Sequence, residues 1–457
     1  MISLTKELIQ HYNTPGPRYT SYPTAPEWSS AFTQEEATHA LASFGKSGKP
    51  VSVYIHIPFC ATMCYYCGCN VTIRKPKGSV GDEYIEYLQK ELELVSRTLP
   101  TPPLLKQLHW GGGTPNFLTE SQSQKLYTLM QTHFKFDSEA EIALEIDPRT
   151  VTLSQIAHYR QLGFNRISMG IQDFNADVQK AVNRIQPFEH VETLMKELRR
   201  LQFDSVNMDL IYGLPFQSVS KFLATIDHIL ELNPDRIALY SFAHIPWLKS
   251  HQNLISETTL PDSNEKLDIF ISARNKLLES GYDAIAMDHF AKSEDAMSKA
   301  FKNKTLYRNF MGYTLKPAEE FIGLGVTSIG YLNHTFMQNA HELKTYYASL
   351  DAGVLPTAKG LKLSQDDIYR QWVIGQLMCQ FKVDKIQFET LFSQNFDHYF
   401  EFEHLHIHTC EKEGLVTCLG SVIEATELGR LFIRNICMGF DWYFRQENRH
   451  KRFSKTV

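Results

Sequence analysis

No unbroken apolar run in the 457 residues is long enough to cross a bilayer, and the opening stretch, "MISLTKELIQHYNTPGPRYT", lacks an apolar core of the signal-peptide kind. A cytoplasmic protein without a membrane span is the expectation. No internal repeat or low-complexity tract occurs. Charge of one sign is also missing: 46 Lys and Arg stand against 51 Asp and Glu, a formal net charge of −5. That leaves no basic footprint for nucleic acid, and no nucleic-acid partner is expected. With 43% hydrophobic and 21% charged residues the chain has the composition of a globular protein, with room for one large domain and a smaller one. A monomer is expected. Cysteine is scarce, eight in all, yet Cys60, Cys64, Cys67 and Cys69 crowd into "HIPFCATMCYYCGCNV" (56–71). In a reducing compartment such a cluster reads as metal-binding or catalytic, not as a disulfide framework.

Apolar periodicity alternates along most of the chain. "VSVYIHI" (51–57) has the alternation of a strand, and "DEYIEYLQKELELVSRTL" (82–99) spaces Tyr84, Leu88, Leu92 and Val95 as a helix does. The pair recurs as "LLKQLHW" before "TESQSQKLYTLMQTHF", "EIALEID" before "LSQIAHYRQLG" and "NRISMGIQ" before "HVETLMKELRRL". It recurs again as "DSVNMDLIYG" before "SVSKFLATIDHILEL" and "DRIALYSF" before "SNEKLDIFISARNKLLESG", with "YDAIAMD" as a further strand candidate. Six strand–helix units imply a parallel sheet with helices outside it, as an open doubly wound sheet or a full or partial barrel. Polar residues at the ends of different strands favour the barrel: Tyr54, His56, the glycines after Trp110, Glu145, Asp147, Gln172 and Asp209. In a barrel such ends ring one mouth. The expectation is an α/β fold, a partial (β/α)6 TIM-like barrel over 49–355. An extended segment precedes it over 1–48, where "TPGPRYTSYPTAP" has too many prolines for a helix. A small, mainly helical, winged-helix-like domain follows over 356–457, with a hairpin at "GLVTCLGSVIEAT" and a last helical stretch, "ELGRLFIRNICMGFDWYFRQ".

Cys60, Cys64 and Cys67 are spaced C-x3-C-x2-C. Four-thiolate zinc sites usually come as two separated pairs, and no second pair lies at a suitable distance. Ordinary buried cysteines rarely cluster so tightly. An iron–sulfur cluster is the remaining reading, and three close-set thiolates would leave one iron open to an exogenous ligand.

These residues carry a resemblance. "CATMCYYC" after one strand and "GGGTP" (111–115) after the next resemble the radical S-adenosylmethionine (SAM) superfamily. "GPRYTSYPTA", "YIHIPFC", "CGCN", "QLHWGGGTP", "EIDPR", "GFNRISMGIQDF", "VNR", "DLIYGLP", "NPDRIALY", "MDHFA" and "RNICMGFD", in that order, are similar to the oxygen-independent coproporphyrinogen III oxidase family of haem biosynthesis. The resemblance implies a 4Fe-4S cluster on Cys60, Cys64 and Cys67, with SAM on the fourth iron. It also implies two SAM per substrate, and a radical that starts oxidative decarboxylation of two propionates of coproporphyrinogen III to vinyl groups, giving protoporphyrinogen IX. A small redox protein would supply electrons. Tyr54, Gly112, Glu145 and Ile329 match positions around the cluster-bound SAM. Tyr66, Gly113, Thr114, Gln172, Arg184, Asp209 and Ala243 match positions around a second SAM; Arg184 and Asp209 read equally well as a structural ion pair. No general acid or base is assigned.

The resemblance also implies that the extended segment within 1–48 is a lid over the active site and that Arg18 pairs with a substrate propionate. After "RNF" the family usually has Gln where this chain has Met311, which would lose or replace any polar contact there. The alternative is a haem-binding chaperone of the same superfamily without decarboxylase activity. Such relatives typically lack "GPRYTSYPT" and the fourth cysteine, and have a His-Asn motif where this chain has Arg308 and Asn309. His404, His406 and His408 in "HLHIH" fit the polar side of a strand or helix end better than a metal site.

Overall fold

The computed structural model describes Leu8, Phe453 and residues 11–75, 78–315 and 318–446. The other residues of the expected segments 1–48 and 356–457 lie outside the described residues. The alternation seen in the sequence becomes six successive units: β1 (Val51–Ile57) and α2 (Gly78–Arg97), β2 (Leu104–Gly112) and α3 (Glu120–His133), β3 (Lys135–Ile146) and α4 (Leu153–Leu162). They continue with β4 (Arg166–Gln172) and α5 (Phe188–Arg200), β5 (Ser205–Tyr212) and α6 (Val219–Leu232), β6 (Arg236–Ser241) and α7 (Ser263–Glu279). Ahead of them stands α1 (Gln34–Ser47). Further along come β7 (Tyr282–Ile285), β8 (His289–Lys292), β9 (Phe321–Leu324), β10 (Ile329–Leu332), β11 (Thr335–Asn339) and β12 (Thr357–Lys362).

Each helix buries one stripe on the sheet. In α5 the buried residues are Val191, Leu194, Met195 and Leu198, the spacing of one helical face. Capping boxes at Thr119/Gln122 and Thr152/Gln155 start α3 and α4, each cap stabilising by about 1 kcal/mol. All twelve strands form one sheet in the order β12-β11-β10-β9-β1-β2-β3-β4-β5-β6-β8-β7. The run from β9 to β6 is parallel, flanked by antiparallel strands, and β7 and β12 at the two ends do not pair. The sheet is therefore a partial barrel. Register across the mouth sets Tyr54 beside His109, Glu145 beside Ser168 and Gly170 beside Asp209.

Two expectations about the chain's divisions are corrected. Segment 1–48 is not extended throughout: Thr33 and Glu36 form a capping box, and α1 buries Ala37, Ala40, Leu41 and Phe44 on the main core. The sheet also runs past residue 355, because β12 pairs with β11. Beyond it, α8 (Gln365–Gln380), α9 (Lys385–Phe392) and α10 (His404–Lys412) pack with a small sheet, in which β13 (Lys382–Asp384) pairs with β15 (Val422–Ala425) and β15 with β14 (Val416–Leu419). The expected hairpin is β14–β15. The last helical stretch is broken at Phe432 into Glu427–Leu431 and Ile433–Met438. No helix among the described residues is long and apolar enough to cross a membrane.

Candidate active site

The cysteine loop leaves the end of β1 and is pinched shut where Phe59–Cys60 pairs in parallel with Thr72–Ile73. Beneath it, burial holds the His56 ring neutral, its pKa pushed down to about 4. A neutral ring has one N–H, and Nε2 donates it to the Asn70 carbonyl at 3.0 Å while Nδ1 accepts from the Tyr54 hydroxyl at 3.1 Å. The loop backbone is gripped from two other strand-end loops. Tyr65 N–H donates to the Val182 carbonyl (3.0 Å) and Asn183 Nδ2 to the Met63 carbonyl (2.8 Å). Lys249, His251 and Gln252 bond the carbonyls of Cys69, Cys67 and Tyr66 at 2.7–3.1 Å.

The four loop cysteines border one cavity of about 180 Å³, which Tyr66, Gly112, Gly113, Thr114, Glu145, Gln172, Arg184 and Asp209 also line. Cys60 Sγ lies 3.2 Å from Thr114 Oγ1, and Cys64 Sγ accepts from Arg149 at 3.4 Å and Arg184 at 3.6 Å. The hydrogen bond from Cys69 pushes the Cys67 thiol down to about 6 against its burial, toward the thiolate that binds metal; burial pushes Cys60 up to about 11. Among the described residues no three His, Cys, Asp or Glu side chains converge as a single-ion site. A cluster that gives each thiolate its own iron needs them spread around a larger body.

Glycine is required on the wall beside the loop's first residues. Gly112 has φ +114°, and a Cβ there would stand 2.5 Å from the His56 ring; one on Gly113 would stand 2.8 Å from Pro58 backbone. Gly112 N–H donates to Glu145 at 3.2 Å, and His109 Nε2 lies 3.0 Å from the same carboxylate. Burial opposes the charge of Glu145, but His109 and the Gly112 N–H outweigh it and hold the carboxyl below its ordinary range. Asp209 goes the other way, pushed up to about 6 by burial and by Glu145, while Asn207 and Ser168 donate to it at 2.7 and 3.1 Å. Gln172 Oε1 and Arg184 Nε are buried without a hydrogen-bond partner. Orphaned polar atoms on a cavity wall fit a polar ligand such as SAM.

Arg184 and Asp209 do not pair. Arg184 reaches Asp147 at 3.4 Å, and Asp147 is also bound by Arg149 at 2.6 Å. Tyr54 stacks on His109 with centroids 5.8 Å apart and pairs in register with Gly323; Ile329 opens β10 with its carbonyl against Gly323. Ala243 follows β6. Tyr54, Ile329 and Ala243 are not among the residues lining the cavity. Arg18 donates to the Ser241 carbonyl at the end of β6, 2.8 Å away. Met311 sits in the turn between Tyr307–Asn309 and Gly312–Thr314, against an apolar cluster that includes Trp28 and Phe336. His404 lies 3.2 Å from Asp397 and His406 bonds the Ile436 carbonyl, both on α10.

Sequence reasoning missed His109, Arg149, Asp147 as the partner of Arg184, and the Lys249–His251–Gln252 grip. The first three lie inside "QLHW" and "EIDPR", where a strand-end position was the available signal; the grip had none.

Comparisons with known proteins fit this geometry. Residues 54–229 match the model of the Radical SAM superfamily. The oxygen-independent coproporphyrinogen III oxidase of Synechocystis is 44% identical over all of this chain and 98% of its own length, and that of Escherichia coli is 41% identical over 98% of each. The chain belongs to the oxygen-independent coproporphyrinogen III oxidase family. It is a radical SAM enzyme. The solved structure of the Escherichia coli coproporphyrinogen III oxidase, described as a radical SAM enzyme, superimposes with a TM-score of 0.91 at 38% identity, over 97% of this chain and 99% of that one. The family likeness therefore takes in the segment before the barrel and the domain after it.

Proposed function

We propose that this chain converts coproporphyrinogen III to protoporphyrinogen IX in the cytoplasm by oxidative decarboxylation of two propionates, consuming two SAM per product. The observation that carries the reading is the single cavity in which the three spaced cysteines meet Glu145, Gln172, Arg184 and Asp209, in a chain alike end to end to this family. Cys60, Cys64 and Cys67 would hold a 4Fe-4S cluster. When bound, the reduced cluster and SAM supply a carbon radical able to take hydrogen from an unactivated C–H bond.

The protein's own part is positioning. Gly112 and Gly113 let this wall close against the His56 ring and the Pro58 backbone, where a Cβ would clash. Glu145, kept ionised, offers a carboxylate to the SAM ammonium, with Tyr54 and Ile329 behind it. Tyr66, Thr114, Gln172, Arg184, Asp209 and Ala243 would serve a second SAM, Gln172 Oε1 and Arg184 Nε gaining the partners they lack. Arg18 and Met311 border the substrate. A small redox protein would deliver electrons to the protein, which acts as a monomer. Enclosure matters because a radical of this strength also attacks misplaced groups. The test is oxygen-free turnover of the reconstituted protein with coproporphyrinogen III, SAM, a reductant and an electron acceptor. A product carrying two vinyl groups is expected; its absence would overturn the reading.

A further inference from the structure

The three cysteine sulfurs assigned to the cluster do not have like neighbours. Cys60 Sγ meets the neutral hydroxyl of Thr114 at 3.2 Å. Cys64 Sγ, on a buried residue, accepts from two guanidiniums, Arg149 Nη2 at 3.4 Å and Arg184 Nη1 at 3.6 Å. Lys249 and His251 approach the loop as well, but they bond the carbonyls of Cys69 and Cys67 and not a sulfur.

Arg184 divides its donors among Cys64, Asp147 and the Gly170 carbonyl, and its Nε is left without a partner on the cavity wall. Arg149 is fixed more firmly. Its backbone N–H and Nε both donate to Asp147 Oδ1 at 3.0 Å, and Nη2 donates to Oδ2 at 2.6 Å. This fork on the carboxylate leaves the second hydrogen of Nη2 for Cys64 Sγ. Nη1 donates to the Asn183 carbonyl at 3.4 Å, and Asn183 Nδ2 in turn bonds the carbonyl of Met63, the residue before Cys64. The Arg149 side chain is only 15% exposed, so water screens its charge little. With one carboxylate between two guanidiniums, the group leaves one positive charge in excess beside the Cys64 sulfur.

Reducing an iron–sulfur cluster adds one negative charge that its sulfur ligands share. Hydrogen bonds to those sulfurs and a nearby cation stabilise the reduced form more than the oxidised form. Resting on the 4Fe-4S cluster proposed above, we infer that Arg149 is a positioning residue that raises the cluster's reduction potential through the Cys64 sulfur. The electron comes from the external donor; Arg149 makes its uptake easier and acts on the metal centre by way of its ligand, not through SAM.

The test is a redox titration of the anaerobically reconstituted full-length protein without SAM, following the electron paramagnetic resonance signal of the reduced cluster. Arg149→Gln should hold wild-type iron and have a lower midpoint, with the ratio of reduced to oxidised cluster at a given potential down about tenfold, which is about 59 mV for one electron. Arg149→Lys keeps the charge and should keep most of the wild-type potential. A residue that only held the loop in place would change iron content and leave the potential of the bound cluster where it was. An unchanged midpoint in iron-replete Arg149→Gln would therefore overturn the inference. Should that variant hold no cluster, Asp147→Asn decides: with the carboxylate charge gone and both guanidiniums left, its midpoint should rise, and a midpoint that does not rise would overturn the inference. A wild type that holds no four-iron cluster would instead count against the cluster on which the inference rests.

Discussion

At the scale of single residues the proposed site separates groups that hold metal from groups that hold ligand. Changing Cys60, Cys64 or Cys67 to Ser should abolish stable iron binding, whereas Cys69→Ala should keep about four irons per chain, measured after anaerobic reconstitution. Glu145→Ala should leave iron content unchanged and slow SAM cleavage about tenfold to hundredfold, the worth of one buried charge-assisted hydrogen bond. Normal cleavage by that variant would remove Glu145 from the site. Spacing made the cysteines legible and strand-end position made Glu145 legible. The partner of Arg184 was not. Strand periodicity says which face a residue takes, and Asp147 and Asp209 both take the mouth; only the path of the chain after β4 brings the Arg184 side chain to Asp147 at 3.4 Å.

At the scale of elements, the six strand–helix units were readable because each strand alternates and each helix buries a continuous stripe. Strand β12, "TAKGLK", escaped because it is an edge strand with little buried surface. Helix α1 escaped because its apolar face is thin, although Thr33 followed by Glu36 is a capping-box signal that announced its start. A buried carboxylate braces α2 to the strands and the helix (Leu343–Asp351) beside it: Glu91 accepts from Gly325 N–H (2.7 Å), Asn339 Nδ2 (2.6 Å) and Tyr346 Oη (2.6 Å). Burial pushes it from 4.5 up to about 7. The folded protein therefore keeps a proton that the unfolded chain has released, and stability falls as pH rises from about 4.5 to about 7, then levels. The loss is on the order of 3 kcal/mol at most. Glu91→Gln lacks this titration, so the stability advantage of the wild type over it should be larger near pH 5 than near pH 8 in denaturant unfolding. An equal advantage at both would refute the assignment.

At the scale of the whole molecule the N-terminal strap, residues 12–23, joins the two halves. Its tyrosines, Tyr12, Tyr19 and Tyr22, belong to the core of the C-terminal domain. Tyr19 Oη donates to Asp441 at 3.0 Å, Gln371 and Asn435 donate to the carbonyls of Tyr22 and Tyr12, and Arg434 to those of Pro17 and Gly16. The prolines told that this stretch is not helical, but nothing local could tell that its partners lie some 420 residues away. The C-terminal domain thus seats the strap that carries Arg18. Strap, mouth and cysteine loop together frame the central claim, two SAM-dependent decarboxylations on one substrate. Its most direct measurement is the ratio of 5′-deoxyadenosine to protoporphyrinogen IX formed by the reconstituted protein under oxygen-free, reducing conditions. The account predicts two per product, with two CO2 released. Tight haem binding, with 5′-deoxyadenosine formed but no CO2 or vinyl product, would contradict it.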